Sequence, residues 1–254
     1  RKAIDFIISR IDVNTGLVKP SYDLWEEHFG TFTFTSSAVY GALTCAAEIA
    51  DVFGKEDKKE EYLKLSNLVK NGILEYHYNS ETKAFYKRVI HKDHSIDGTE
   101  LKDDTADMSS LYGLFRFRVL ESDDERLINM KKYVQDTLQC STPIGGMPRY
   151  ENDRYFKVIE TVQGNPWVIT TMWMGQLCIS QAKSLDELKE CKYYIDWANQ
   201  HASRTGILSE QLNPTNGMQI SASPLTWSHT EYIITVLDYI KKYEELQNAE
   251  NQTT

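Results

Sequence analysis

Helical segments in this sequence are joined alternately by short and by long connections. The hydrophobic periodicity predicts eight helices, over residues 1–10, 35–53, 57–77, 104–119, 123–138, 166–183, 185–202 and 228–247. The connections at 54–56, 120–122 and 184 are short, whereas those at 11–34, 78–103, 139–165 and 203–227 are long. The helices after long connections begin near 35, 104, 166 and 228, so successive starts are 69, 62 and 62 residues apart. This spacing indicates a repeating two-helix unit.

Two kinds of helix alternate within this repeat. The helices over 35–53 and 166–183 are apolar on most faces, so they are predicted to be buried on every side. The helices over 57–77 and 185–202 are amphipathic and belong on the outside. The alternation predicts an all-α fold of the (α/α)6-toroid type, with the long connections together at one end as the natural binding face. The stretch over 84–90 is the only plausible strand.

The predicted ring is incomplete, because only about eight of the twelve helices of a six-pair toroid are present. Residues 1–247 would then form the C-terminal two-thirds of one domain, and residues 248–254 a polar tail. We therefore expect the helices over 35–53 and 228–247 to expose apolar faces. An N-terminal segment or a second chain is the expected partner that completes the ring.

Composition excludes several classes of partner. The net charge of −9 argues against a duplex nucleic-acid binder and against an anionic membrane surface. No apolar run approaches the roughly 20 residues that span a bilayer. Cys45 and Cys178 lie on apolar helical stretches and are predicted to be buried thiols, and a disulfide framework is not expected at this size.

Two of the long connections carry candidate catalytic carboxylates. In the first, Glu26 and Glu27 follow Trp25, and an apolar ring beside a carboxyl group disfavours its ionisation and keeps an acid protonated. The alternative is a helix N-terminal turn, where Glu is common. In the last, Glu210 is the lone charged residue within 206–226, where it could orient a water molecule or simply be an exposed surface residue.

The connection over 139–165 carries candidate sugar-binding groups. Arg149 could clamp sugar hydroxyls through its planar guanidinium group. Trp167 could stack on a sugar ring, and core packing at a helix start is an equally good interpretation.

The segments YDLWEE, PRYENDRY, GNPW, SEQ and PLTWSHTEY resemble signature segments of glycoside hydrolase family 15, and the resemblance runs from Gly16 to about Tyr239. It implies an inverting exo-hydrolase on an (α/α)6 barrel, with Glu26 as the general acid and Glu210 as the general base. Further residues that match the family segments are the substrate-binding carboxylate Glu27, the sugar ligands Arg149 and Asp153, and the pocket aromatics Trp25, Trp167 and Trp227.

The resemblance implies hydrolysis of an α-linked glucose oligosaccharide or disaccharide without a metal or cofactor. In an inverting enzyme the two carboxyl groups lie about 6.5–9.5 Å apart, with a water molecule between one of them and the anomeric carbon. The family usually carries an Arg-Asp pair in an earlier loop, which this chain does not supply, so the chain alone is expected to be nearly inactive. The alternative is a non-catalytic glucan-binding or regulatory toroid. Maltooligosaccharide, dextran and trehalose all stay open as substrates.

Overall fold

The computed structural model describes residues 2–95 and 98–253, and within these ranges it contains the eight helices that the sequence predicted. They are α1 (Lys2–Ser9), α2 (Thr33–Val52), α3 (Glu56–Gly72), α4 (Met108–Arg116), α5 (Glu125–Leu138), α6 (Val168–Gln181), α7 (Leu185–His201) and α8 (Thr226–Thr253). A π-helical turn, Ile73–His77, extends α3, and a 3-10 turn covers Lys92–His94. No described helix is both long and apolar enough to cross a bilayer.

In the described residues, short strands occupy three of the four long connections, so the prediction of a single strand over 84–90 is wrong. The strands are β1 (Ser21–Tyr22), β2 (Phe29–Phe32), β3 (Tyr78–Asn79), β4 (Ala84–Phe85), β5 (Arg88–Ile90), β6 (Leu101–Asp103), β7 (Gln211–Leu212) and β8 (Gln219–Ile220). They form an antiparallel sheet in the order β1-β2-β5-β6 and the two hairpins β3–β4 and β7–β8. Strands of two to four residues are too short to show the alternating pattern by which a strand is recognised in a sequence.

The chain divides into two compact units. The first comprises the described residues of 1–105 with Ser109–Lys131, and the second comprises Ala106–Met108 with the described residues from Lys132 onward. In the first unit α2 packs against α3, and in the second α6, α7 and α8 pack against one another. The core of the second unit includes Met172 and Trp197. These packed helices support the connections that carry the candidate site.

The burial predicted from the sequence is observed for α6, from Val168 to Leu177, but not for part of α2. Every residue of α6 from Val168 to Leu177 is buried, as expected of an inner helix. Helix α2 buries its small residues, but Ile49 and Val52 are exposed at 58% and 84%, so the prediction of burial on every side is wrong there. The exposure of this apolar face was expected, whereas its attribution to an incomplete ring stays a prediction.

Cysteine chemistry differs from the sequence interpretation. Cys178 is not a buried thiol, because it forms a disulfide with Cys191 that joins α6 to α7. Cys45 is exposed instead of buried. The free thiol of Cys140 is buried, and desolvation raises its pKa to about 12. The pairing was not visible in the sequence because it depends on which face of α7 turns toward α6.

A buried histidine lies beneath the start of α2. His77 is fully buried, and its Nδ1 lies 2.9 Å from the hydroxyl of Thr33. Its Nε2 is buried and has no hydrogen-bond partner among the described residues. Desolvation lowers the pKa of His77 to about 3, so the imidazole is neutral at ordinary pH.

We expect His77 to make the fold acid-sensitive. The unfolded chain takes up this proton near pH 6.5 and the folded chain only near pH 3, so the free energy of unfolding falls as the pH falls through that window. Between about pH 7.5 and pH 4 the loss attributable to His77 is about 3 kcal/mol. Urea unfolding of wild type and His77→Asn at both pH values measures it. The same pH dependence in the two proteins would contradict the expectation, and His28→Asn, at an exposed histidine, is the control.

Candidate active site

Glu26 lies at the tip of the β1–β2 hairpin. Tyr22 and Phe29 are paired across the two strands, and residues 23–28 form the connecting turn. The N–H of Asp23 donates to the carbonyl of His28 at 2.9 Å, and the N–H of Glu26 donates to the carbonyl of Asp23 at 3.1 Å. The side chain of Glu26 is exposed, and its backbone has φ 60°.

The side chain of Asp23 stabilises this turn. Asp23 is only 6% exposed, and its Oδ1 accepts hydrogen bonds from the N–H groups of Glu27 at 2.8 Å and His28 at 3.2 Å. A non-glycine residue with positive φ costs about 1–3 kcal/mol and persists where its surroundings impose it. Strain of this kind concentrates at functional sites, which makes Glu26 a good candidate for a functional carboxylate.

The neighbours of Glu26 differ in exposure. Glu27 is exposed, so its carboxylate is accessible to a ligand in solution. Trp25 is buried, with 9% of its surface exposed. Its contact with a sugar stays a prediction.

Glu210 is held by the backbone on both sides of its Cα. Its N–H donates to the carbonyl of Ala222 at 2.8 Å, and its carbonyl accepts from the N–H of Val168, the first residue of α6, at 3.1 Å. Its half-buried carboxylate accepts a short hydrogen bond from the hydroxyl of Ser221 and a long one, at 3.5 Å, from Nε2 of Gln211. Glu210 is therefore an oriented carboxylate and not an ordinary surface residue.

The support of Glu210 was only partly visible in the sequence. Gln211 is fully buried, and its Oε1 accepts from Nδ2 of the buried Asn165 at 2.8 Å, so its orientation is determined by its neighbours. Ser221 has φ 62° and lies eleven residues beyond Glu210, on the far side of the β7–β8 hairpin. No sequence pattern signals its contact with Glu210, because the register of so short a hairpin is not encoded in an alternating pattern.

Arg149 and Asp153 form a buried bidentate ion pair. Nε of Arg149 donates to Oδ2 of Asp153 at 2.8 Å, and Nη2 donates to Oδ1 at 2.7 Å. Both residues are at most 4% exposed, and Oδ1 of Asp153 also accepts the N–H of Tyr155 at 3.0 Å. Both carboxylate oxygens are thus engaged in holding Arg149, which suits Asp153 to orienting the guanidinium group.

Three aromatic rings surround the guanidinium of Arg149. Its Cζ lies 4.8 Å from the ring centroid of Trp167 and 5.1 Å from those of Tyr150 and Tyr155. Trp167 is 4% exposed, so its ring serves as packing for Arg149. Gly164 permits the close approach of this segment, because a Cβ there would lie 2.8 Å from Cβ of Asp153.

The second unit brings most of its candidate residues to the start of α6. Trp167 directly precedes this helix and forms isolated backbone bridges with Met147 on one side and Gln211 on the other. Arg149 lies two residues after Met147, and Glu210 directly precedes Gln211, so both are close in the chain to a residue bridged to Trp167. The sequence placed these groups in different connections, and the fold gathers them at the same helix end.

Trp227 lies at the start of α8. It is 36% exposed, and its ring centroid lies 5.8 Å from that of Trp173. Its Nε1 donates to Oε1 of the buried Glu231 at 3.2 Å, and the other oxygen of Glu231 accepts from Gln176 of α6 at 2.8 Å. The indole is thus fixed in orientation while part of its ring remains accessible to a ligand.

Comparison with known proteins identifies the family. The model of glycosyl hydrolases family 15 matches residues 12–190 and 182–237. An uncharacterised glycosyl hydrolase of Methanocaldococcus jannaschii is 30% identical over 229 residues, covering 86% of this chain and 34% of the relative. A glucoamylase of Clostridium sp. (strain G0005) is 27% identical over 265 residues, covering 91% of this chain and 37% of the relative. The chain thus spans about a third of the length of these relatives.

The fold agrees with the same family. The crystal structure of a bacterial glucoamylase complexed with acarbose superposes with a TM-score of 0.76 at 25% identity, over 94% of this chain and 37% of that one. The chain is mostly helical, and its eight helices in the described ranges match a portion of the (α/α)6 toroid of family 15 structures, as the helix pattern predicted. The family match extends over most of the sequence, and the chain therefore belongs to glycosyl hydrolases family 15.

Proposed function

We propose that this chain carries the two catalytic carboxylates of an inverting hydrolase that cleaves terminal α-glucosidic bonds. The observation that carries the proposal is the restraint of Glu26 and Glu210, each in a turn that the surrounding hydrogen bonds determine. Family 15 membership supports it, since the match covers both residues. Restraint of these two side chains matters because general acid–base catalysis requires the reacting groups to be in position before the reaction begins.

Glu26 acts as the general acid and Glu210 as the general base in this mechanism. The protonated carboxyl of Glu26 donates its proton to the glycosidic oxygen as the bond to the anomeric carbon breaks. The carboxylate of Glu210 takes a proton from a water molecule whose oxygen forms the new bond from the opposite face. The water has then replaced the leaving group, with inversion at the anomeric carbon. The carboxyl and the carboxylate each return to their first state after exchange with solvent.

The remaining candidates bind the substrate in this proposal. The guanidinium plane of Arg149 is fixed by Asp153 and the surrounding rings, and because the side chain is 4% exposed, only an N–H outside the pair with Asp153 can donate to a sugar hydroxyl in this proposal. Asp153 contributes by orienting Arg149. Glu27 and Trp227 are accessible enough to contact a sugar directly.

The substrate we propose is an α-linked glucose oligosaccharide or disaccharide. Support comes from the glucoamylase of Clostridium sp. and from the bacterial glucoamylase complexed with acarbose, which this chain resembles in sequence and fold. Maltooligosaccharide, dextran and trehalose are all members of the proposed class. Parallel assays on the three decide which of them the protein hydrolyses.

Proton NMR of the initial product tests the stereochemistry. With an α-glucoside whose leaving group is not a sugar, such as 4-nitrophenyl α-glucoside, the β-anomer of glucose should appear first, followed by mutarotation to the equilibrium mixture, because water attacks from the face opposite the leaving group. The spectra are recorded in the first minutes, in a form of the protein that hydrolyses the substrate. The α-anomer as first product would contradict the inverting assignment. Binding of a glucan without hydrolysis in any form would favour the alternative, a non-catalytic glucan-binding domain.

A further inference from the structure

A lysine side chain is buried in the first unit beneath the hairpin that carries Glu26. Lys87 lies between β4 and β5, and its side chain is only 2% exposed. Its N–H donates to the carbonyl of Asp103 at 2.8 Å, and its carbonyl accepts from the N–H of Thr33 at 3.2 Å. The backbone on either side is thus held by the edge of β6 and the start of α2, which leaves the side chain little choice of direction. Burial of an ammonium group is costly unless a charge of opposite sign lies nearby.

That opposite charge belongs to Asp23. Nζ of Lys87 lies 3.9 Å from Oδ2 of Asp23, and both side chains are 2% exposed. Oδ2 has no hydrogen-bond partner among the described residues, whereas Oδ1 accepts the N–H groups of Glu27 and His28. The two oxygens of this carboxylate therefore make different contacts. Oδ2 faces the ammonium group of Lys87, and Oδ1 binds the N–H groups of the turn.

We propose that Lys87 is a positioning residue for the candidate acid Glu26, acting through its charge on Asp23. The ammonium group keeps a carboxylate in place below the hairpin, and that carboxylate holds the two N–H groups that follow Glu26 in the chain. The positive φ of Glu26 is maintained by this arrangement. The role in catalysis rests on the proposed function of Glu26, whereas the coupling from Lys87 to the turn does not.

Arg88, the cationic residue next to Lys87 in the chain, pairs with other groups. Its Nη2 lies 3.1 Å from Oδ2 of Asp103, and its Nη1 donates to the carbonyl of Phe29 at 3.1 Å. The cation that the structure places beside the carboxylate of Asp23 is Lys87. Removal of one partner from a buried pair leaves an uncompensated charge, which is far more disruptive than removal of both.

Hydrogen exchange at the amides of Glu27 and His28 tests the coupling directly in the full chain. In Lys87→Met, which keeps the length of the side chain and removes its charge, these amides should exchange about 10-fold faster or more, because the unpaired carboxylate of Asp23 turns toward water and opens the turn. Amides within α7 should keep their rates. Lys64→Met, at an exposed lysine on α3, is the matched control and should change neither region.

The double variant Asp23→Asn with Lys87→Met separates charge from packing. It carries neither charge, and the asparagine oxygen can still accept the two N–H groups, so protection of the turn should be largely restored. If Lys87→Met fails to fold, the double variant should fold. A double variant no better than Lys87→Met, or unchanged exchange at Glu27 and His28 in a folded Lys87→Met, would overturn the proposal.

Kinetics then connect the coupling to catalysis. In a form of the protein that hydrolyses an α-glucoside, Lys87→Met should lower kcat by about 10-fold or more with little change in KM, since misplacement of a reacting group acts on the transition state. Faster exchange at the turn with no loss of kcat would refute the catalytic role while leaving the coupling intact. If Glu26→Gln is also fully active, the failure lies in the function proposed for Glu26.

Discussion

Glu210→Gln and Glu26→Gln should each lower kcat by about 10²–10⁴-fold on maltose, the range expected when a general base or general acid is removed. Glutamine keeps the size and polarity of each side chain, so the turns that hold them should persist. In Glu210→Gln the hydroxyl of Ser221 can still donate to the amide oxygen, and the backbone bonds to Ala222 and Val168 are unaffected. KM should change much less than kcat, because both groups act mainly in the transition state. The measurement is steady-state kinetics in a form of the protein that hydrolyses maltose.

A substrate with a good leaving group distinguishes the two roles. Fluoride departs from α-glucosyl fluoride without protonation, so Glu26→Gln should retain most of its activity on this substrate. Glu210→Gln should remain defective, because the water molecule still needs a base. If Glu210→Gln is active on α-glucosyl fluoride and Glu26→Gln is not, the acid and base roles would be exchanged. If each variant is equally defective on maltose and on α-glucosyl fluoride, a simple acid–base pair would be contradicted. Glu81→Gln, at an exposed glutamate in the β3–β4 turn, is the control and should behave as wild type.

The helices were predictable from the sequence because each extends over enough residues to show its hydrophobic pattern. Helix α6 is apolar over several turns, and its burial on every side follows directly from that composition. Strands β1, β2 and β6 were missed because their pairing is decided by tertiary contacts, such as that between Thr31 of β2 and Val89 of β5. The exposure of Ile49 on α2 has the same origin, since composition describes a helix but not which of its neighbours is present.

The candidate site was predictable where residues are close in the sequence. Arg149 and Asp153 are four residues apart, and their pairing follows from local geometry once the segment turns. The contacts of Ser221 with Glu210 and of Lys87 with Asp23 span longer separations and leave no sequence pattern. The chemistry inferred from the residue types stays a prediction, and the side chains that hold each group in position appear only in three dimensions.

Exposed apolar faces bear on whether this chain works alone. Helix α8 exposes Ile233, Leu237, Ile240 and Tyr243 at 43–59%, and their spacing places them on the same side of the helix. Separately, in the first unit, the end of α2 exposes the apolar residues Ile49, Val52 and Phe53. An exposed apolar helix face usually marks an interaction site. The expectation that a partner covers the helices over 35–53 and 228–247 stays a prediction.

We therefore expect the 254-residue chain by itself to be slow and to self-associate. Its kcat/KM on maltose, maltooligosaccharides and trehalose should be about 10²-fold or more below that of a longer form that has the full length of its family 15 relatives, because loss of substrate-positioning contacts alone costs about this much. Sedimentation velocity should show concentration-dependent association of the chain. Equal activity of the two forms would show that the additional part is not needed.

Substitutions on α8 test whether the apolar face causes the association. Leu237→Glu with Ile240→Lys should shift the chain toward monomer, because charged side chains resist burial in an apolar contact. Val13→Lys, at a residue 70% exposed in a turn, is the matched control and should leave association unchanged. If the additional part covers the same face, the double substitution in the longer form should also weaken activity, since the two surfaces would no longer pack. Loss of association without any loss of activity in the longer form would place the contacts of the additional part elsewhere on the molecule.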